Sequence, residues 1–466
     1  MASIATENLK KEIIDPLLTK INSGASPSFY VGLSRAEPWF NSLDSAPNAV
    51  PTTKEENDFR NSLQGIARVN SASYVVPRYN WTSGTTYEQY DDKKKLEDYT
   101  AATPFYVLTL NHGVYICLRT GRSDTAPYGK QGSTVEPTGS NNHPFETSDG
   151  YVWKFLYTVS ALDANYYLTK NFMPVRFQES TDSNSTGIEL KQFEIQSTAK
   201  RQHLVSFIVD SGNGGSNFTD SCKVAINGTP YHSATVKTDG GAIKKIEYNN
   251  DSSTIHSVQG LRGAVLTTVH STGTGATIRP VFSSAKGIGA NAVQDLKSQH
   301  MMLNVKVPGS NTDFITTQDF RQVGLLANMK DSLGTSGVDF TDNTGQALFH
   351  MKLSAQSPNF TKDRLVTGDS SGAKAFIDNL SSDNTKIFYH QNDSTGYLDF
   401  RIGEPISEEG GTGSGTIHTD INSERMKPEV NPYSGDVLYI DNRAPIIRVA
   451  NQTEDIKVVI RLDRCT

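Results

Sequence analysis

Three cysteines in 466 residues, Cys117, Cys222 and Cys465, are odd in number and far apart, and none stands in a CxxC spacing. That excludes a disulfide framework and a zinc knuckle; the three read as reduced, mostly packed thiols. Long apolar runs are also missing. None approaches the ~18 residues a membrane helix needs, and the opening MASIATENLKKEIIDPLLTKI mixes Lys and Glu among its apolar residues, unlike a secretory h-region. The expectation is a soluble protein made in the cytoplasm, with no membrane partner. Positive charge is not in excess either: 44 basic residues face 50 acidic ones, a formal charge of -6, and no Lys/Arg-dense stretch builds a basic stripe. Nucleic acid is therefore not an expected partner. Apolar residues are sparse, about 40 % with Gly counted and Tyr left out, against the usual ~45–50 %. Such a chain builds small cores under much polar surface, and its length suggests roughly two to four domains.

What is present is mostly strand texture. Leu9, Ile13, Ile14, Leu17, Leu18 and Ile21 fall at helical spacing, with Pro16 expected to kink this amphipathic helix or begin a new one. Thr53 and Glu56 have the spacing of a capping box ahead of a second helix through Phe59, Leu63 and Ile66. SFYVGLS (28–34), PFYVLTL (104–110), GVYICL (113–118) and YVWKFLYTV (151–159) then read as strands, and residues 120–149 as a long surface loop. The expected organisation is an N-terminal β domain over 1–204, a Gly-rich β module over 205–283, a return to the core with short helices over 284–344, a second small β module over 345–425, and C-terminal strands over 426–466 completing the core. Within these, NAVQDLKSQ and a start at Thr316 and Asp319 predict helices, while VLYI, PIIRVA and DIKVVIRL predict three closing strands. The fold class expected is mainly β: a multi-domain, β-sandwich-like core with a few short helices and two inserted Gly/Ser-rich β modules.

Patterns that could carry chemistry fail in their context. GIGANA (287–292) has the spacing of a dinucleotide loop but is flanked by apparently antiparallel β texture, so a plain helix-entry turn is expected. GDSSG (368–372) puts Ser370 in the position of a hydrolase nucleophile, with His390 and His418 as downstream bases. The following AKAFIDN alternates as a strand does, and a nucleophile elbow must run into a helix. The ten histidines include no HxxxH or HExxH pair. Asp210, Asn213, Asn217 and Asp220 offer oxygen donors in a Gly-rich loop without an EF-hand or nonapeptide pattern. DDKKK (91–95) reads as an exposed charge run. Three sequons, at Asn80, Asn217 and Asn359, mean little without a secretion signal. No catalytic residue, cofactor or metal is expected.

Four stretches together resemble the baseplate wedge subunit of large contractile-tailed phages, the family often called the gene-eight product. They are SRAEPW (34–39), DGYVWKFLYTV (149–159), DFRQVGLL (319–326) and GDVLYIDNRAPIIRVANQTEDIKVVIRL (435–462). The last is the most specific, with Asn442-Arg443-x-Pro445-Ile446-Ile447 followed by Gln452-Thr453-Glu454. The resemblance covers 1–204, 284–344 and 426–466 in patches. It implies a non-enzymatic, mostly β virion protein that dimerises and sits among other baseplate wedge proteins. The two Gly/Ser-rich stretches depart from that pattern and resemble β modules of structural proteins from phages of cyanobacteria. Within the shared stretches the candidate interface or structural residues are Arg35, Glu37, Trp39, Trp153, Arg443 and Arg448. Pro38 fixes a bend, and Trp39 is either a partner anchor or a cap on its own core. Arg443 and Arg448 are placed to pair with carboxylates, locally or across a subunit boundary. Two rivals are a host-surface glycan-binding tail protein and a hydrolase built around Ser370.

Overall fold

The structure is a computed structural model that describes residues 7–24, 28–39, 45–69, 71–121, 131–199, 204–226, 233–247, 266–269, 273–307, 319–333, 337–355, 360–449 and 453–461. It is mainly β, with 41 % strand against 12 % helix. Along the chain come α1 (Glu7–Ser23), β1 (Phe29–Ser34), α2 (Thr53–Asn61), β2 (Leu63–Arg68), β3 (Ser71–Pro77), β4 (Tyr106–Leu108), β5 (Gly113–Arg119), β6 (Phe145–Glu146), β7 (Val152–Thr158), α3 (Ala161–Tyr167), β8 (Phe172–Val175) and α4 (Gly187–Ser197). Then follow β9 (Leu204–Ser216), β10 (Lys223–Ile226), β11 (Ser233–Asp239), β12 (Ala242–Glu247), β13 (Leu266–Val269), β14 (Thr274–Phe282), α5 (Ala292–Asp295), β15 (His300–Val307), β16 (Asp319–Ala327) and β17 (Thr344–Gln346). The chain closes with β18 (Phe349–Lys352), β19 (Leu365–Gly368), β20 (Lys374–Leu380), β21 (Lys386–His390), β22 (Pro405–Glu408), β23 (Ser414–Thr416), β24 (Asp436–Ile447) and β25 (Glu454–Arg461). None of the described helices is long and apolar enough to cross a membrane.

Two compact units divide the chain: residues 1–10, 73–302 and 459–466 form one, residues 11–72 and 303–458 the other. The segments read from sequence are cut differently, since residues 11–72 fold with the 303–458 stretch and not with the rest of 1–204.

In the first unit, β5 and β7 pair antiparallel between β4 and β6, and β3 pairs with β8. Alternation lets β7 bury Trp153 beside Tyr151 and Tyr87, the Tyr151 ring stacked at 5.5 Å and the Tyr87 ring edge-on at 5.4 Å. Residues 205–283 form their own strand group, with order β12-β11-β10-β13 and a β14-β9 ribbon, around a separate core that includes Leu204, Phe207, Phe218, Val236 and Ile243.

The second unit is built on a five-stranded antiparallel sheet of order β17-β2-β1-β16-β24. Phe59 from α2 packs over Gly32 and Gly324, which face each other on β1 and β16. Beside this core, which also holds Tyr30, Ile66, Leu326 and Val430, the 345–425 stretch makes a six-stranded sheet of order β18-β21-β20-β19-β22-β23 with its own cluster of Met351, Val366, Ile377, Ile387, Ile406 and Ile417.

Several expected elements are corrected. The cap of α2 is Thr52, which accepts from the Glu55 N–H at 3.3 Å, so the helix begins one residue earlier in PTTKEEN than the capping-box reading placed it. Leu63 and Ile66 lie on β2, because the helix ends at Asn61 and the chain then pairs with β1 as a strand. Asp319 opens a strand, not a helix, and its partner Thr316 lies outside the described residues. VLYI and the first three residues of PIIRVA form one strand, β24; Pro445 is tolerated where the register with β16 slips between Phe320 and Gln322. Helix α1 runs on through Pro16, with Ile14, Leu18 and Ile21 buried; the side chains of Leu9 and Ile13 lie outside the description. The described part of the 120–149 loop is tied into its own unit: Ser133 is fully buried and bonds Asp149, whose carboxylate also accepts from the Thr134 and Val135 N–H groups.

Candidate functional site

The SRAEPW segment leaves β1 through Arg35, a non-glycine residue at φ 60°. That turn stacks the Arg35 guanidinium 4.2 Å from the Trp39 ring and sets it 3.8 Å from Glu37. Trp39 is buried, and its indole N–H donates to the Arg443 carbonyl at 2.7 Å. On the neighbouring strand the buried Arg321 pairs with Asp319 at 2.7 Å and donates to the Ala36 carbonyl. One residue on, Gln322 stands opposite Asn442 and donates to its side chain at 2.9 Å, while both amides donate to Glu55 at 3.1 Å. Three of the four resembling stretches, far apart in sequence, therefore meet on the β1-β16-β24 sheet.

Glu37 also reaches into the six-stranded sheet. Its Oε2 lies 3.2 Å from His390 Nε2, and His390 Nδ1 lies 2.8 Å from Asp378 Oδ2. Asn392 donates to Glu37 Oε1 at 3.1 Å, and Phe376 stacks on the imidazole. Both His390 and Asp378 side chains are only 2 % exposed. Burial alone would strip the proton from His390, but the flanking charges of Asp378 and Glu37 outweigh it and lift its pKa to about 10. Burial likewise opposes the charge on Glu37, and the His390 and Arg35 cations overcome it, holding the carboxyl at about 2. Asp378 sits in a β-bulge, where the β20–β21 register shifts between Ile377 and Asn379, and so can turn toward His390. Sequence spacing did not expose this pair, since a bulge has no signature in the alternation.

The remaining candidates are placed elsewhere. Trp153 is a core residue of the first unit, and its indole N–H has no acceptor among the described residues. Arg448, 1 % exposed, pairs with Glu454 at 3.0 Å, a local pair within the C-terminal stretch. The half-exposed Arg443 side chain pairs with Asp441 on its own strand at 2.7 Å.

Ser370 is exposed on the β19–β20 turn, and β20, not a helix, follows it. That turn is held by the buried Glu404, which accepts from the Ser370 and Ser371 N–H groups at 3.0 and 2.9 Å. His390 is committed to two carboxylates, and His418 lies 3.0 Å from Asp420. In GIGANA the Gly289 N–H, which a phosphate would need, donates instead to Asp295 at 2.6 Å, and α5 is a single turn capped by Asn291. Asp220 accepts from the Thr238 N–H and hydroxyl, while the Asp210 side chain, like Cys465, Gln452 and the Asn359 sequon, falls outside the described residues. Cys117 and Cys222 are buried, and burial pushes the Cys117 thiol pKa up.

No protein-family model matches the chain, and no curated protein matches it.

Proposed function

We propose that this chain is a structural subunit of a phage tail baseplate wedge. It acts as a homodimer in the virion, holding neighbouring wedge proteins in register during assembly and moving with them when the tail contracts. The observation that supports the reading is the convergence of SRAEPW, DFRQVGLL and the C-terminal stretch on a single sheet, through Trp39 to Arg443, Arg321 to Ala36 and Gln322 to Asn442. Residues of three of the resembling stretches thus bond to one another, which suits a load-transmitting part. Function in this reading is interfacial, using folded β units whose loops and strand edges bury area against specific partners, with no cofactor and no catalytic step. An antibody against the chain should decorate the baseplate end of purified contractile tails; labelling elsewhere on the particle, or none, would refute it.

A second reading, host-surface glycan binding, draws on one surface feature. Tyr397 and Tyr433 are half exposed, and both hydroxyls meet the Asn61 side chain, at 2.8 and 3.2 Å. Paired exposed aromatics beside an amide suit a sugar ring. Binding on a glycan array that is lost in Tyr397→Ala would favour it.

A further inference from the structure

We propose that the Glu37–His390–Asp378 chain is a releasable seam in the second unit: it fastens the six-stranded 345–425 sheet to the segment after β1, and neutralising either carboxylate frees that contact while both sheets stay folded. The inference does not depend on the wedge reading. Its basis is that the two sheets of this unit have separate apolar cores, one around Phe59 and Leu326, the other around Ile377 and Ile406. Among the described residues, the contacts between them include the Phe349–Tyr433 ring pair at 6.5 Å and several polar side-chain contacts. Lys54 meets Asp393 at 2.5 Å and Asn61 meets Tyr397 at 2.8 Å, both exposed to water, whereas Glu37 meets His390 and Asn392 out of it.

Carboxylate oxygens 2.8 Å from Nδ1 and 3.2 Å from Nε2 favour a proton on each nitrogen, so we take His390 as a buried imidazolium. Asp378 holds it from its own sheet and Glu37 from across the seam. Arg35 backs Glu37, and Asp363 lies within electrostatic reach of Asp378 and is itself flanked by Lys362, Asp319 and Arg321. Removing one partner of such a group leaves a buried charge half compensated, and the least disruptive relief is to let water into the contact. Because neither apolar core includes these residues, water can enter without emptying a core.

The test is amide hydrogen exchange by mass spectrometry on the full chain at pH 7. Glu37→Gln, which keeps the shape, is expected to raise exchange at least tenfold in residues 35–39 and 391–397, with β1, β16 and β20 as protected as in the wild type. His390→Gln should reproduce that pattern. Wild-type protection of 35–39 and 391–397 in both variants overturns the proposal, and so does loss of protection throughout the unit, which would mean that the sheets cannot part separately. Ring nitrogen chemical shifts provide the independent check. An imidazolium at His390 at pH 8 supports the seam, and a neutral tautomer overturns it.

Discussion

The indole of Trp39 donates to the Arg443 carbonyl at 2.7 Å, fastening the bend after the first strand to the middle of β24. Trp39 is thus spent inside its own fold, under the Arg35 guanidinium, and is not a free anchor for a neighbour. Trp39→Phe should lower stability by about 1 kcal/mol through the lost hydrogen bond, and Trp39→Ala by about 3–5 kcal/mol through the cavity as well. Urea titration of the two variants measures both, and equal losses would mean that the hydrogen bond contributes nothing.

Charge on the Glu37–His390 contact predicts a pH profile. His390 has its pKa raised from 6.5 to about 10, so its stabilisation is complete below pH 6.5 and is lost as pH rises through about 10. Glu37 has its pKa lowered from 4.5 to about 2, so its stabilisation is complete above pH 4.5 and is lost as pH falls through about 2. The contact is strongest between 4.5 and 6.5. The urea midpoint of the wild type should therefore fall more steeply than that of His390→Gln as pH rises from 6.5 toward 10; parallel profiles would contradict the assignment.

Gly32 and Gly324 face each other because Phe59 needs the space. A Cβ at Gly324 would stand 2.4 Å from Phe59 Cζ, and one at Gly32 would stand 2.8 Å from Leu63 Cδ1. Gly324→Ala is expected to cost about 1–3 kcal/mol by overpacking, with part of it recovered by adding Phe59→Leu. A double-mutant cycle in urea reads the recovery directly, and an additive cycle would place the strain elsewhere.

Around the GDSSG turn, stability should track Glu404 and not Ser370. Glu404→Ala strands the N–H groups of Ser370, Ser371 and Arg401, and should cost about 2–3 kcal/mol; Ser370→Ala should stay within about 0.5 kcal/mol. Thermal melts compare the two, and a serine-directed probe should leave Ser370 unlabelled. Labelling would revive the hydrolase reading.

Strands such as β1, β5 and β7 are legible because runs rich in β-branched and aromatic residues lie between turn formers, and two inserted strand-rich stretches can be read from their Gly/Ser/Asn punctuation. Residues near Thr316 and Asp319 misled, since an acidic residue three places after Thr looks like a cap whether the chain then coils or extends; only the strand partners of Phe320–Leu326 decide it. The joint itself was half legible. Arg35, Glu37, Trp39 and Arg443 stand out by type, but their mutual contacts, and the part of Asp378 and His390, depend on strand register and a bulge, which are properties of tertiary pairing.

The wedge reading itself is tested most directly by mass. The purified chain, alone and mixed with candidate wedge proteins from the same genome, would be passed over a sizing column with light scattering. The account predicts a dimer near twice 51.0 kDa that enters a complex of fixed stoichiometry. A monomer that elutes unchanged beside every wedge protein would contradict it.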